Sequence, residues 1–272
     1  MKRGGFIQST VVGFTRALAR ALMSEEIARQ HGLLQSLDPR VRVVGLFALV
    51  LAVTLSRRLA VVLVLFVAAV MIAIFSRVSI GTLAKRVWLV VLAFTGVIAL
   101  PAIFITPGNP IATFAGGSLR ITAPGVATAV LLIARVETAV TFTTLLILCT
   151  PWTQVLKALR SFHLPQEVIA MLAMTHRYIF LLVETASQMF ESRQSRTVGR
   201  LPAAEQRRMT ARTAGVLLSK SIGLGNDVYL AMQSRGFRGE VRILSDFRMK
   251  SWDYVGLLAF LCAGGIAVWI GR

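Results

Sequence analysis

Five apolar runs divide this chain, and their lengths decide what it can fold into. They are Val41–Leu55, Leu59–Phe75, Val87–Ile105, Val126–Thr150 and Tyr254–Ile270. A helix rises about 1.5 Å per residue, so about 20 mostly apolar residues cross a hydrocarbon core of about 30 Å. The chain is 56% hydrophobic over 272 residues, with a mean hydropathy of +0.71. That is too apolar for a soluble domain of this length. The sequence therefore predicts an all-α fold, a polytopic helical membrane protein of about five transmembrane helices. The first two runs are short and close together, as in a tight hairpin of tilted spans.

The formal charge of +18 cannot sit in lipid, so its distribution carries topology. Five spans place Lys2, Arg3, Arg16, Arg20, Arg29 and Arg40 on one side, with Arg77, Lys85 and Arg86 and every cation of the stretch 151–251. The other side holds Arg57, Arg58, Arg120 and Arg272. The positive-inside rule makes the first side cytoplasmic, with the N-terminus on it. Four segments are expected: a cytoplasmic amphipathic segment over 1–40, built around Phe14, Leu18 and Leu22; transmembrane helices over 41–150; a cytoplasmic helical block over 151–251; and a last transmembrane helix over 252–272. The Pro/Gly loop TPGNPIATFAGGSLRITAPG cannot continue a helix. The basic start MKRGGF is followed by no apolar stretch of signal-peptide length, so no cleavable signal is expected.

The basic block is helical in pattern. Thr150-Pro151-Trp152 breaks the preceding run beside an interfacial aromatic. A short helix is expected over Thr153–Phe162, closed by His163-Leu164-Pro165, and Pro165 suits the first turn of the next helix. Two long amphipathic helices follow, over about Gln166–Arg196 and Ala203–Arg235, broken between them at Val198–Pro202. Gly236 is a natural left-handed residue just past the second. Each helix ends in an arginine between small residues: Ser195-Arg196-Thr197 and Ser234-Arg235-Gly236. Arginine there complements the helix dipole and offers a five-donor fork to a carboxylate or to backbone carbonyls. Similar triplets recur at Thr15-Arg16-Ala17, Ala19-Arg20-Ala21 and Ala211-Arg212-Thr213. On spacing alone, then, a solvated or headgroup-facing cation is the plainer reading.

Other chemistry is not written in the chain. No phosphate-binding G-x-x-x-x-G-K-[ST] loop and no H-E-x-x-H occur, and His31, His163 and His176 are scattered. His176-Arg177 reads as a satisfied polar pair facing a neighbouring helix rather than as a ligand. Cys149 and Cys262 show no metal spacing and read as buried bystanders. Arg135 and Glu137 lie inside the fourth run, where charge is costly and faces the bundle interior. At i,i+2 they do not face each other. A hydrogen bond to a neighbouring helix or partner subunit is the expected use, with a transport pathway as the rival reading. Few and dispersed carboxylates speak against a membrane enzyme. The apolar periodicity inside the basic block speaks against nucleic acid as a partner.

An ordered set of motifs resembles the transmembrane T component of energy-coupling factor transporters, closest to CbiQ of cobalt transporters. The motifs are Leu37-Asp38-Pro39-Arg40, Thr150-Pro151-Trp152, the stretch ALRSFHLP at 158–165, His176–Leu182 and the two arginine triplets. The resemblance runs from about residue 36 to 240. It implies a non-catalytic coupling subunit of a bacterial inner-membrane importer, with no cofactor of its own; ATP and magnesium belong to two partner ATPase subunits of ABC type. It also implies a CbiM-like subunit that binds cobalt ion, with a small CbiN-like helper; nickel or a vitamin is the alternative cargo. The family's coupling helices end in Ala-Arg-Gly-like triplets that seat in the ATPases. Carried over, these are Ser195-Arg196-Thr197, which departs from the pattern at both small residues, and Ser234-Arg235-Gly236. A self-contained channel or secondary transporter would instead need converging polar groups at the midplane, for which only Arg135 and Glu137 qualify.

Overall fold

The computed structural model describes residues 13, 32–106, 110–114, 119–162, 164–196, 202–237 and 251–272. The amphipathic pattern around Phe14, Leu18 and Leu22 lies outside them, as do His31, His163 and Thr197. The described residues fall into two compact units, a bundle made of 32–158 and 251–272 and a helical unit made of 159–237.

In the bundle, α1 is a single turn (Leu33–Ser36) that precedes α2 (Pro39–Leu55). Asp38 caps α2 by accepting a bond from the Arg40 amide at 2.9 Å, and Pro39 fills the first helical position. A three-residue turn leads to α3 (Leu59–Phe75), and then come α4 (Ile80–Leu83), a π-helical turn (Ala84–Trp88) and α5 (Leu89–Ile105). The Pro/Gly loop holds a two-stranded antiparallel hairpin, β1 (Pro110–Phe114) and β2 (Leu119–Thr122). Its last residues, read above as loop, open α6 (Ala123–Cys149): Thr122 caps it from the Gly125 amide, and Pro124 sits in the first turn, where its missing N–H costs nothing. After α7 (Trp152–Ser161), the second unit holds α8 (Gln166–Arg196) and α9 (Ala203–Ser234), and α10 (Ser251–Gly271) returns to the bundle.

Helix α6 is the hub, packed against α2, α3 and α5, while α10 packs along α2. The core is apolar, with Phe142, Leu145, Leu46, Val53 and Val62 buried. Outward faces stay apolar, as at Phe94, Val97 and Val64, which lipid requires. The ties define two ends. At one, Ser76 after α3 accepts from the Leu34 amide, Arg42 donates to the Cys149 carbonyl, and Asp253 accepts from the Asp38 amide. At the other, the Arg57 amide donates to Gly271 and Arg135 donates to the Ser56 carbonyl. So α2 and α10 run the same way, and α3 and α6 run against them. Helix α5 is antiparallel to α6, since Trp88 bonds Thr141 while Thr122 bonds Thr106. Five passes therefore alternate, and α6 ends where α10 begins.

Among the described residues, three helices are long and apolar enough to cross a membrane: Ala123–Cys149, Gln166–Arg193 and Ser251–Gly271; Leu59–Phe75 and Leu89–Phe104 are shorter apolar helices. The protein is an all-α, polytopic membrane protein with one small hairpin in a loop.

Gly45 of α2 makes room for the Phe260 ring of α10. A Cβ there would sit 2.5 Å from the Phe260 ring, whereas one at Gly96 would meet nothing within 4 Å. Gly45→Ala is expected to destabilise the bundle by about 1–3 kcal/mol, the usual cost of overpacking. Thermal unfolding in nanodiscs checks this, with Gly96→Ala as the variant that leaves the midpoint in place.

Candidate functional site

The second unit is built on two helices of nearly equal length, 31 residues in α8 and 32 in α9. Both follow helical spacing. Met171, Met174, Thr175, Tyr178, Ile179 and Leu182 of α8 face Ser221, Leu224, Gly225 and Val228 of α9 across an apolar groove of about 510 Å³. Arg193 near the end of α8 lines a second groove with Pro202, Ala204, Glu205, Arg208, Met209 and Arg212 at the start of α9. Late residues of one helix thus meet early residues of the other, and the pair is an antiparallel hairpin. By that register Ala186 and Thr213, both small and both buried, lie at the same level of the pair.

The two sequence-predicted triplets therefore lie at opposite ends. Ser195 and Arg196 are exposed in the last turn of α8, and Thr197 is outside the described residues. Ser234, Arg235 and Gly236 are exposed at the end of α9. There the Gly236 amide donates to Gln233 at 2.9 Å and the Phe237 amide to Met232 at 3.0 Å, with Gly236 at φ +82°. This is a Schellman cap, and it leaves Arg235 projecting as the cap residue. Gly236→Ala strains the left-handed residue and is expected to cost about 1 kcal/mol. Hydrogen exchange should read this as faster exchange at Arg235, Gly236 and Phe237. At 1.5 Å per residue, measured from the Ala186–Thr213 level, the two arginines stand roughly 35–50 Å apart.

Polarity divides the hairpin. Val168, Met171, Ile179 and Leu181 of α8 and Val216, Leu218, Ile222 and Leu230 of α9 are exposed and apolar. Between Leu181 and Val216, no large apolar side chain is exposed among the described residues. One half of the hairpin presents grease and the turn end presents arginine. His176 is half-buried and meets Phe180 of its own helix edge-on at 5.0 Å, while Arg177 is exposed.

The bundle contributes an anchor. Arg42 is 3% exposed. Its guanidinium donates to the Leu37 carbonyl through Nε (2.9 Å) and Nη2 (2.7 Å), to Gln35 (3.2 Å), and to the Cys149 carbonyl through Nη1 (2.7 Å). One fork thus ties the turn before α2 to the last carbonyl of α6, from which the chain leaves for the hairpin. Asp253 ties the start of α10 to the same turn through the Asp38 amide at 2.8 Å. Sequence reasoning placed Leu37–Arg40 here and missed both of these residues. The available signal was an arginine one turn inside an apolar run, a position tolerated only when its donors are satisfied.

The two intramembrane charges diverge. Arg135 donates to the Ser56 carbonyl at 2.7 Å, beside the α2–α3 turn. Glu137 is buried, and neither carboxylate oxygen has a hydrogen-bond partner among the described residues. They are not brought together, and among the described residues no cluster of His, Cys, Asp or Glu is arranged to hold a metal.

Over 266 residues the chain is 29% identical to an uncharacterized protein of Methanocaldococcus jannaschii, covering 97% of this chain and 91% of that one. It is 27% identical over 176 residues to the cobalt transport protein CbiQ of Rhodobacter capsulatus, with 64% and 72% covered. It is 28% identical over 192 residues to the energy-coupling factor transporter transmembrane protein EcfT of Leuconostoc gelidum subsp. gasicomitatum, with 66% and 69% covered. The profile of the CbiQ cobalt transport proteins matches residues 30–243. That range holds the Asp38 cap, the Arg42 anchor, the whole hairpin and both arginine triplets, and the chain belongs to the CbiQ family of cobalt transport proteins.

Proposed function

We propose that the chain is the coupling subunit of an ATP-driven importer of cobalt ion. It would carry the motion of two ABC-type ATPase subunits to a separate CbiM-like substrate-binding membrane subunit, with a small CbiN-like helper. The observation that carries this reading is the hairpin: two long helices with a single exposed arginine closing each, at opposite ends. Two grips that far apart suit two ATPase subunits better than one binding pocket. The apolar groove between them, floored by Met171 and Met174, suits a surface that repacks as the hairpin moves, because methionine adapts its shape.

A parity argument supports a cytoplasmic hairpin. Since α6 ends and α10 begins at the same end of the bundle, the intervening chain crosses the membrane an even number of times. Helix α9 exposes Arg207, Arg208, Arg212, Lys220 and Asp227, charges that lipid would penalise heavily. If α9 does not cross, neither does α8, despite its length and early hydropathy. The basic ends then fall on the cytoplasmic side, with the N-terminus, as the positive-inside rule asks. Catalysis is left to the ATPases.

Co-expression with the two ATPase subunits and the substrate-binding subunit tests the reading. Affinity purification through this chain is expected to recover two ATPase copies, and proteoliposomes are expected to take up cobalt ion only with ATP. A chain that purifies without any ATPase, or that passes cobalt ion alone, would sink it.

A further inference from the structure

The two ends of the hairpin are chemically unlike, and the difference points to how each is held. From residue 193 to 212 the sequence carries six arginines (Arg193, Arg196, Arg200, Arg207, Arg208 and Arg212) against one carboxylate, Glu205. Three of them, Arg193, Arg208 and Arg212, wall a groove of about 710 Å³ with Met209 and Pro202. From Val228 to Arg242 the sequence carries three arginines (Arg235, Arg238 and Arg242) against Glu240, with Arg235 set on a shaped Schellman cap. The Arg196 end has a serine and a threonine in its triplet where the Arg235 end has a serine and a glycine.

We propose that the groove of Arg193, Arg208 and Arg212 receives an acidic segment of one ATPase subunit, so that this end docks by multiple charges while the Arg235 end docks by fit around one guanidinium. This rests on the coupling reading above. Guanidinium forks bind carboxylates in pairs of parallel hydrogen bonds, and several of them in one concave site bind a run of carboxylates rather than one. Anionic headgroups also attract clustered arginines, and the vesicle-binding arm of the test below separates the two occupants.

Salt separates the two ends. The test uses the full chain in nanodiscs with its co-expressed ATPase pair and counts ATPase copies per chain by native mass spectrometry. Samples are washed at about 0.1 M and about 1 M salt, where the screening length falls from about 10 Å to about 3 Å. Wild type is expected to hold two copies at low salt and one after the high-salt wash. Arg208→Glu/Arg212→Glu is expected to hold one copy at both. Arg235→Glu is expected to hold one at low salt and none at high salt. Arg208→Gln/Arg212→Gln, with no repulsion, should keep the second copy at low salt and lose it at an intermediate concentration. Arg208 and Arg212 are exposed, so an unchanged elution volume is expected for each variant. Two copies held by Arg208→Glu/Arg212→Glu at both salts would overturn the proposal. So would unchanged ATPase counts accompanied by loss of binding to phosphatidylglycerol vesicles, which would assign the groove to lipid. If Arg196→Glu/Arg235→Glu also holds two copies, the coupling reading falls with it; if only the groove variant does, the groove assignment falls alone.

Discussion

Replacing Arg42 with alanine is expected to leave the bundle barely stable or unfolded. The side chain is 3% exposed and satisfies the carbonyls of Leu37, Gln35 and Cys149. Alanine orphans those acceptors in a site that water does not replace. An unsatisfied buried polar group costs about 1–3 kcal/mol, so three acceptors place the loss at roughly 3–6 kcal/mol even with partial relaxation. Typical net stabilities are about 5–15 kcal/mol. Low yield, aggregation on size exclusion and a large drop in melting temperature in nanodiscs are the expected readings. Arg42→Lys is the informative companion. An ammonium keeps the charge but lacks the planar fork, so it cannot hold Leu37 by two donors while reaching Cys149. It should fold and melt between wild type and Arg42→Ala. A melting temperature for Arg42→Ala equal to that of wild type would show that the tie contributes nothing.

Arg42 also shows where sequence reading stops. The apolar runs and the amphipathic period of the basic block foretold the helices closely, as with Leu59–Phe75 and Gln166–Arg196, because length and hydropathy act locally. Gly236 was legible as a cap for the same reason, since a left-handed residue past a helix end is a short-range demand. The loop after α5 was less legible. Its β-hairpin depends on pairing between Pro110–Phe114 and Leu119–Thr122, and Pro124 reads equally well as a breaker or as a first-turn residue. The Arg42 tie was invisible because its acceptors are backbone carbonyls, one of them 107 residues away, and a carbonyl carries no sequence signature. Glu137 was legible as a buried charge, yet only coordinates reveal that its oxygens meet no donor among the described residues. The two arginines could be located from the triplets, but their placement at opposite ends depends on the antiparallel register of α8 and α9.

If the chain is the coupling subunit proposed above, reversing both hairpin arginines is expected to abolish transport without harming the fold. Arg196 and Arg235 are exposed, so Arg196→Glu/Arg235→Glu should melt and elute as wild type does. At a partner, each swap replaces charge-assisted hydrogen bonds with repulsion. Losing one side of such a pair costs about 2–5 kcal/mol, which is about 30-fold or more in affinity per end. The two ends reinforce each other while both are engaged, since a second contact forms at high effective concentration. A single swap should therefore leave an assembled but weakened complex, and the double swap should release the ATPases. Uptake is expected to fall further than assembly. A lever held at one end follows one subunit and cannot sense that two have closed, so either single swap should retain one ATPase copy yet cut ATP-dependent cobalt uptake by at least about tenfold, as about 1.4 kcal/mol of lost coupling would. Uptake assays in proteoliposomes with the substrate-binding subunit present, run beside ATPase counts, separate the two effects. Undiminished uptake in the double variant would mean that the hairpin ends are solvated cations after all, as their triplet spacing alone suggests.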